Sequence, residues 1–322
     1  MTDGSPSSSP NPVVVDDATL AAEAADVRAF WQELGLPGLL DLHVHFLPPP
    51  IERAVWREFD AGGELIGRDW PIRYRLPVER RVAFLREAGV RRFSTLPYAH
   101  KPGVAGFLND FSRDLAVEVP EVLRSATFYP EPDAAAMVPA LIDDGVAVFK
   151  LHLQVGRFHL DDPLLEPVWG PLAEAGTPVV VHAGSGPVAT EFTGAASTGR
   201  VLERHPRLRL VIAHMGSPEC GDFLELAETY ERVLLDTSMA FTDFFADGPG
   251  CSGHGAYPRD LLPRLADLGE RVVWGSDFPT LPFAYRQQLD DLARLGLGDD
   301  WLRAVCWHNA ARLGLGPAGA AE

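Results

Sequence analysis

Short apolar runs alternate with longer amphipathic segments along most of the chain. Eight runs are nearly continuous in apolar and β-branched residues, which is typical of parallel strands buried on both faces. They cover residues 39–45, 91–97, 123–129, 146–152, 178–184, 208–214, 233–238 and 271–277. Segments with a helical apolar period separate them, and one precedes them: 18–34, 78–87, 163–175, 197–204, 220–231 and 258–268. Eight strands alternating with helices favour one (β/α)8 TIM barrel over an open doubly wound sheet.

The barrel domain is predicted to span residues 16–316, and three segments depart from its pattern. Residues 1–15 are polar and rich in proline and serine, which predicts a disordered N-terminal tail. Residues 317–322 predict a flexible C-terminal tail. Residues 46–77, after the first strand, are too long for a connector alone. We interpret them as a lid insertion over the barrel mouth, where loops carry function.

The charge balance limits the partners that we expect. The chain has 28 basic and 45 acidic residues, and its formal net charge is −17. Nucleic acid and anionic membranes bind basic surfaces, so we expect neither as a partner and predict a small-molecule substrate. The three widely spaced cysteines predict no disulfide framework, and no apolar run approaches the ~18 residues of a membrane span. With no signal-peptide pattern at the N-terminus, these features predict a cytoplasmic protein.

Side chains that can bind metals cluster at the carboxyl ends of the predicted strands, where active sites lie in such barrels. They are Asp41, His43, His45, Lys150, His152, His182, His214 and Asp277. Residues two apart share a face of a strand, so the two histidines of the first strand point the same way. The same rule predicts that Leu210, Ile212 and His214 share the inward face of the sixth strand.

Imidazole and carboxylate are preferred ligands of Zn²⁺, and a catalytic zinc site uses about three or four ligands and leaves one position open for water. A lone histidine is more often a hydrogen-bonded core or surface residue, and we interpret His159 and His205 in that way. Several strand ends each carry a residue that can bind a metal, and this repetition is harder to explain as coincidence than a single histidine. The sequence therefore predicts a metal site at the barrel mouth.

An ordered set of motifs resembles the amidohydrolase superfamily, and within it the amidohydrolase-related group that includes aminocarboxymuconate-semialdehyde decarboxylase-like proteins. The motifs are, in chain order, DLHVH, FKLHLQVGRFHLDDP, PVVVHAG, RHPRLRLVIAHMG, VLLDTS, VVWGSDFP and HNAARLGL. They span residues 39–314, nearly the whole predicted barrel. H-x-H alone is a weak signal, whereas its ordered combination with the later strand-end motifs is specific. The insertion 46–77 matches nothing that we can place.

The resemblance implies a metal-dependent enzyme. The breadth of the superfamily favours a hydrolase, whereas the closest resemblance, to the decarboxylase-like group, favours a decarboxylase. It implies that His43, His45, His182 and Asp277 bind a divalent metal ion, expected to be Zn²⁺, and that His214 is a base or electrophile beside it. A bound divalent ion lowers the pKa of water to about 7 and polarises a carbonyl, and Asp277 would take the proton of that water. We expect hydrolysis of an amide, ester or lactone. The alternatives are non-oxidative decarboxylation of an aromatic or unsaturated carboxylic acid, and binding without turnover.

Lys150 allows three interpretations. It is one of only two lysines beside 26 arginines. In some amidohydrolases a lysine on this strand becomes a carbamate that bridges two metal ions. Lys150 is otherwise a cation that holds a substrate carboxylate, or a buried structural lysine paired with an acid. Asp236 either is that partner or orients His214. We expect one metal ion per chain, and two if Lys150 is carboxylated.

The remaining candidates concern the pocket and the assembly. The predicted pocket residues are His152, Tyr98, Arg73 and Trp70. Arg73 either holds an anionic group of the substrate with both guanidinium nitrogens or lies at the surface, where most of the 26 arginines are expected. Trp56, Trp70 and Tyr74 either form an apolar lid or pack the insertion onto the barrel. Relatives in this group are often dimers, so the resemblance also implies a homodimer.

Overall fold

A computed structural model of the chain describes residues 15–62, 69–245 and 257–317. Nearly all of the two predicted tails, residues 1–14 and 318–322, lies outside the described residues. Within the described ranges, no helix is both long and apolar enough to cross a membrane.

All the strand pairs that the structure describes are parallel. The strands are β1 (Leu39–Asp41), β2 (Val90–Ser94), β3 (Val122–Leu123), β4 (Ser125–Thr127), β5 (Val148–His152), β6 (Val179–His182), β7 (Leu210–Ile212), β8 (Val233–Asp236) and β9 (Val272–Val273). The third predicted strand is interrupted at Arg124 and forms both β3 and β4. The strand positions were therefore predicted correctly, but several predicted strands are longer than the observed ones, which end at Asp41 in β1 and at Val273 in β9.

The strands follow one another in chain order, as β1-β2-β3 and then β4-β5-β6-β7-β8-β9. One continuous chain segment links β3 to β4. At the other junction, Leu42 N–H donates to Trp274 O at 3.0 Å and Asp277 N–H donates to His43 O at 2.7 Å. An isolated parallel bridge also joins Val44 to Phe278. The end of the first strand therefore lies beside the end of the last, in the (β/α)8 arrangement that the sequence predicts.

Helices surround the strands at the positions that the apolar periodicity predicts. They are α1 (Asp17–Glu33), α2 (Pro49–Asp60), α3 (Val78–Ala88), α4 (Ala105–Glu118), α5 (Ala134–Asp143), α6 (Leu153–Gly156), α7 (Glu166–Ala175), α8 (Ala195–Arg204), α9 (Cys220–Thr229), α10 (Leu262–Asp267), α11 (Tyr285–Ala293), α12 (Asp299–Arg303) and α13 (Asn309–Arg312). Short 3-10 turns precede α7 and α10, and a π-helical turn, Ala304–His308, joins α12 to α13. α1 begins where Asp16 Oδ1 accepts a hydrogen bond from Thr19 N–H at 2.8 Å.

Alternate residues of the strands pack into two separate apolar clusters, which shows which side chains face the barrel interior. Val180 belongs to the inner cluster, whereas Val179 and Val181 belong to the outer layer between strands and helices. By the same alternation, Lys150 and His182 point inward. The sixth predicted strand differs from the prediction: Val211 lies in the inner cluster, and Leu210 and Ile212 pack in the outer layer.

His214 reaches the mouth of the barrel by a different route from the one predicted. It does not continue an inward face with Leu210 and Ile212. Instead, the backbone enters the left-handed region at His214 and at Met215, with φ of 56° and 54°. This turn ends the strand alternation and redirects the His214 side chain, a conformation that non-glycine residues adopt at a cost and often at functional sites.

Candidate metal centre

Three side-chain atoms that can bind a metal converge at the carboxyl ends of the first and last strands. The Nε2 atoms of His43 and His45 are 3.2 Å apart. Asp277 Oδ1 lies 3.0 Å from His45 Nε2 and 3.6 Å from His43 Nε2. Ligand atoms at 2.0–2.2 Å from a tetrahedral ion lie roughly 3.3–3.6 Å from each other, so this triangle is close to the spacing that an ion requires.

The protons of the two imidazoles are fixed on the sides that face away from the triangle. His43 Nδ1 lies 2.7 Å from Asp236 Oδ2, and His45 Nδ1 lies 2.9 Å from Leu96 O. A carboxylate and a carbonyl only accept hydrogen bonds, so each Nδ1 carries the proton and each Nε2 presents a lone pair. Burial lowers the pKa of His43 to about 3, which keeps it neutral. Two lone pairs and a carboxylate oxygen thus face one another, a donor set that fits a cation.

Asp277 remains ionised although it is buried. Burial alone would raise its pKa, but the neighbouring imidazoles of His45 and His43 hold the pKa well below the usual aspartate value. Its backbone is left-handed, with φ of 65°. Asp277 and His214 therefore both adopt the backbone conformation that L-residues rarely occupy, and both present polar side chains at the mouth.

Asp236, at the end of β8, connects the metal-binding triangle to His214. Its Oδ1 accepts hydrogen bonds from the backbone N–H of His214 at 3.1 Å and of Ser238 at 3.0 Å, and from Ser238 Oγ. Its Oδ2 accepts from His43 Nδ1. Burial would raise the pKa of this carboxyl, but His43 lowers it far below its usual value. Asp236 is thus an ionised buried carboxylate that positions two functional residues.

The reactive nitrogen of His214 faces a cavity. His214 Nδ1 lies 3.0 Å from Ser238 O and 2.9 Å from Ser238 Oγ. Because the carbonyl only accepts, Nδ1 donates and the lone pair of His214 is on Nε2. His214 and Asp277 line the same cavity, of about 120 Å³. Ser238 was not predicted as a partner of His214, although its position two residues after Asp236 could have indicated it.

His182 lies beside the triangle rather than in it. Its Nε2 donates a hydrogen bond to Gly186 O at 2.8 Å, and its ring stacks on His152 with centroids 4.0 Å apart. Burial lowers the pKa of both imidazoles well below the usual histidine value, so both are neutral and can stack. Among the described residues, the groups of three or more ligand atoms combine His43 with His45 and Asp277, or with His214 and Asp236. The assignment of His182 as a ligand stays a prediction.

Lys150 lies directly beneath the triangle. Its Nζ is 3.1 Å from His43 Nε2, and its side chain is fully buried. Burial lowers its pKa to about 8, although Asp236 and Asp277 act in the opposite direction. Over the described ranges, no carboxylate oxygen lies within 4.0 Å of Nζ, so Lys150 has no close ion pair. Asp236, the predicted partner of Lys150, binds His43 instead.

The predicted pocket residues divide into three that line the mouth and one that does not. Tyr98 and His152 border a larger cavity of about 520 Å³, and Trp70 borders both cavities. Arg73, in contrast, binds the buried carboxylate of Glu23 through Nη2 at 3.1 Å. This corrects the prediction that Arg73 holds a substrate anion, because its guanidinium already has a buried carboxylate partner.

Asp41 has a structural position below the triangle. Its Oδ1 accepts hydrogen bonds from the backbone N–H of His43 at 3.2 Å and of Ser276 at 3.0 Å, and its Oδ2 accepts from Tyr285 O–H at 2.7 Å. Since Ser276 directly precedes Asp277, the Asp41 carboxylate holds both strand ends that supply the triangle. The chain on either side of the metal-binding atoms is therefore fixed by one buried acid.

Comparison with known proteins agrees with this geometry. Residues 40–313 match the amidohydrolase family, so the chain belongs to that family, as its motifs predicted. No curated protein is similar enough to the chain to count as a match.

Three solved structures share the fold. An uncharacterised TIM-barrel protein of Bordetella bronchiseptica is 18% identical, with a TM-score of 0.66, and the match covers 86% of this chain and 98% of that one. A 5-carboxyvanillate decarboxylase of Novosphingobium aromaticivorans, complexed with manganese and 4-hydroxy-3-methoxy-5-nitrobenzoic acid, is 16% identical, with a TM-score of 0.59 and coverage of 87% and 97%. A candidate 2-pyrone-4,6-dicarboxylic acid hydrolase of Pseudomonas putida is 18% identical, with a TM-score of 0.57 and coverage of 86% and 97%.

Proposed function

We propose that the protein is a metal-dependent hydrolase that cleaves an amide, ester or lactone of a small molecule. One observation carries the proposal: His43 Nε2, His45 Nε2 and Asp277 Oδ1 form a triangle of acceptor atoms whose protons are fixed elsewhere. Asp277 also borders the cavity that His214 lines. Metal-binding atoms and a second titratable group thus meet at one small cavity, as hydrolysis requires.

The residues that would hold the ion are His43, His45 and Asp277, with His182 adjacent. Two nitrogens and one carboxylate oxygen suit Zn²⁺, which we propose as the metal, and also suit Mn²⁺. When bound, such an ion lowers the pKa of water to about 7 and polarises a carbonyl. Asp236 and the Leu96 carbonyl hold the two imidazoles in the tautomer that this binding needs.

Two side chains, Asp277 and His214, transfer the proton of the attacking water in this mechanism. The ionised Asp277 carboxylate accepts the proton of the attacking water. His214 Nε2 has a free lone pair, so His214 takes that proton and delivers it to the leaving nitrogen or oxygen. The Ser238 carbonyl, which accepts from Nδ1, stabilises the imidazolium that forms between these two steps.

The test is isotopic and uses the full chain with a defined metal. In H₂¹⁸O, one ¹⁸O atom is expected in the carboxylate product, and a chelator should stop turnover until Zn²⁺ is added back. Asp277→Asn should retain some metal but lose about 10³-fold or more in kcat. Asp26→Asn, on the exposed face of α1, is the matched control and should behave as wild type. Near-normal turnover in Asp277→Asn would overturn the role of Asp277.

The second candidate is a metal-dependent, non-oxidative decarboxylase of an aromatic or unsaturated acid. His214 favours it, because an imidazole on the cavity wall can deliver a proton to carbon as CO₂ leaves. The name of the Novosphingobium aromaticivorans structure belongs to this class. The isotope experiment separates the two candidates, since decarboxylation releases CO₂ and places no ¹⁸O in the remaining product.

A further inference from the structure

Two adjoining cavities lie at the mouth of the barrel, beside the metal-binding triangle. The inner cavity, of about 120 Å³, is bordered by His214 and Asp277. The outer cavity, of about 520 Å³, lies under helix α2. Phe59, Trp70 and Pro187 border both cavities and therefore form the boundary between them. A substrate whose reacting carbonyl lies in the inner cavity has room for its remaining part in the outer cavity, beyond these three residues.

The boundary is a mainly aromatic wall that hydrogen bonds connect to Asp277. The rings of Phe59 and Trp70 pack edge to face at 5.0 Å, and Trp70 packs against Phe244 at 5.1 Å. Trp70 Nε1 donates a hydrogen bond to Thr280 O at 2.6 Å, and Thr280 N–H donates to Asp277 O at 3.0 Å. Trp70 is therefore held at a fixed position relative to Asp277, which suits a wall that orients a flat, apolar group.

The charges around both cavities are negative. Among the described residues that border them, none is Arg or Lys, and the charged ones are Asp277 and Glu58. The rest of the outer wall is mainly apolar, with Ile51, Val55 and Val188 beside the aromatic boundary. A carboxylate that entered the outer cavity would lose its hydration and meet no Lys or Arg among the described residues that border it, which is unfavourable.

We propose that the outer cavity binds a neutral aromatic group, so that the substrates are neutral aryl-bearing esters, amides or lactones rather than polycarboxylates. The substrate class in this inference rests on the proposed hydrolase function. The preference of the outer cavity for a neutral aromatic group does not depend on that function. In the reaction, the acyl carbon gains the oxygen of water and its bond to the leaving oxygen or nitrogen breaks. The leaving group takes the proton that His214 delivers.

The test compares two esters that share a leaving group. Methyl 3-phenylpropanoate should be hydrolysed with a kcat/KM about tenfold or more above that of its ring 4-carboxylate, the ratio expected when a charged group lacks a partner. Glu58→Lys places a cation at the outer cavity and should reduce this ratio about tenfold. Glu118→Lys, at the exposed end of α4, makes the same charge change away from both cavities and should leave the ratio unchanged.

A binding measurement separates this inference from the proposed function. The ketone 4-phenylbutan-2-one and its ring 4-carboxylate cannot be hydrolysed, and calorimetry gives the Kd of each for the metal-loaded protein. If the neutral ketone binds about tenfold more tightly while neither ester is hydrolysed, the inference stands and the hydrolase proposal fails. Two outcomes overturn the inference. In one, the esters are hydrolysed but the carboxylate is preferred in both the ester pair and the ketone pair. In the other, Glu58→Lys and Glu118→Lys change the ratio of the kcat/KM values equally.

Discussion

Asp236 Oδ2 accepts a hydrogen bond from His43 Nδ1 at 2.7 Å, and only 1% of each side chain is exposed to solvent. The carboxylate therefore decides which nitrogen of His43 is free to bind a metal. Its other oxygen accepts from the backbone N–H of His214, so one acid at the end of β8 orients a metal-binding imidazole and the proposed proton shuttle. Carboxylates in this position raise the basicity of the imidazole as well as fixing its tautomer.

Asp236→Asn is expected to weaken metal binding about 10- to 100-fold. In the wild type, each oxygen of Asp236 accepts a hydrogen bond, one from His43 Nδ1 and the other from the backbone N–H of His214. Asn replaces one of these oxygens with an NH₂ donor, so in either orientation one of the two N–H groups faces another donor. Relief of that clash moves the His43 proton to Nε2 and blocks the metal-binding lone pair. Competition with a chromogenic chelator measures the affinity, and Asp222→Asn, exposed on α9, is the control. Equal affinity in wild type and Asp236→Asn would contradict the role assigned to Asp236.

Lys150→Met tests whether this lysine bridges metal ions. Lys150 Nζ lies 3.1 Å from His43 Nε2 and has no carboxylate partner within 4.0 Å among the described residues. We expect one metal ion per chain in the wild type and in Lys150→Met, because the structure brings the ligand atoms together without a second set around Nζ. Elemental analysis gives the stoichiometry, and Lys101→Met, an exposed loop position, is the control. Two ions in the wild type that fall to one or none in Lys150→Met would establish the carbamate bridge.

The parts of the site that the sequence predicted follow from strand periodicity. His43, His45 and Asp277 converge because consecutive parallel strands bring their carboxyl ends to one mouth, and the first and last strands meet there. His214 was assigned to the mouth for the wrong geometric reason. A left-handed turn overrides the strand alternation, and such turns at non-glycine residues leave no signature in an apolar pattern.

The pocket was less predictable because it depends on contacts between distant segments. Arg73 and Trp70 are only three residues apart, yet Arg73 binds Glu23 of α1 and Trp70 faces the cavities. Glu23 is buried by helix packing that hydrophobic periodicity does not report. Tertiary contacts of this kind decide which insertion residues meet a substrate, so sequence alone could name candidates but not choose among them.

His214→Asn separates proton transfer from folding. Asn tolerates the left-handed backbone better than most residues, and its amide can still donate to Ser238 O. We therefore expect the Tm and the metal content to remain near wild type, whereas kcat falls about 10²- to 10⁴-fold because the amide of Asn cannot accept and deliver a proton. Thermal melting, metal analysis and steady-state kinetics measure the three quantities. A variant that kept wild-type kcat would exclude His214 from proton transfer.

Glu52→Gln tests how helix α2, which borders the outer cavity, is held in place. Glu52 of α2 forms an ion pair at 2.5 Å with Arg81 of α3, and the Arg81 side chain is fully buried over the Phe46 ring. Removing one partner leaves an uncompensated buried charge, so the free energy of unfolding should fall by about 3 kcal/mol, as urea titration measures. Because Ile51 and Val55 of the same helix border the outer cavity, KM should rise while kcat stays near wild type.

The neighbouring pair between Arg80 and Asp17 is the matched control for this prediction. Arg80 lies on the same helix as Arg81, but both members of its pair are largely exposed to solvent. Exposed ion pairs contribute little to stability, because water and salt screen them. Asp17→Asn should therefore leave both the unfolding free energy and KM unchanged. A similar loss of stability in the two variants would mean that the buried pair contributes no more than a surface contact, and α2 would then be held by its apolar packing.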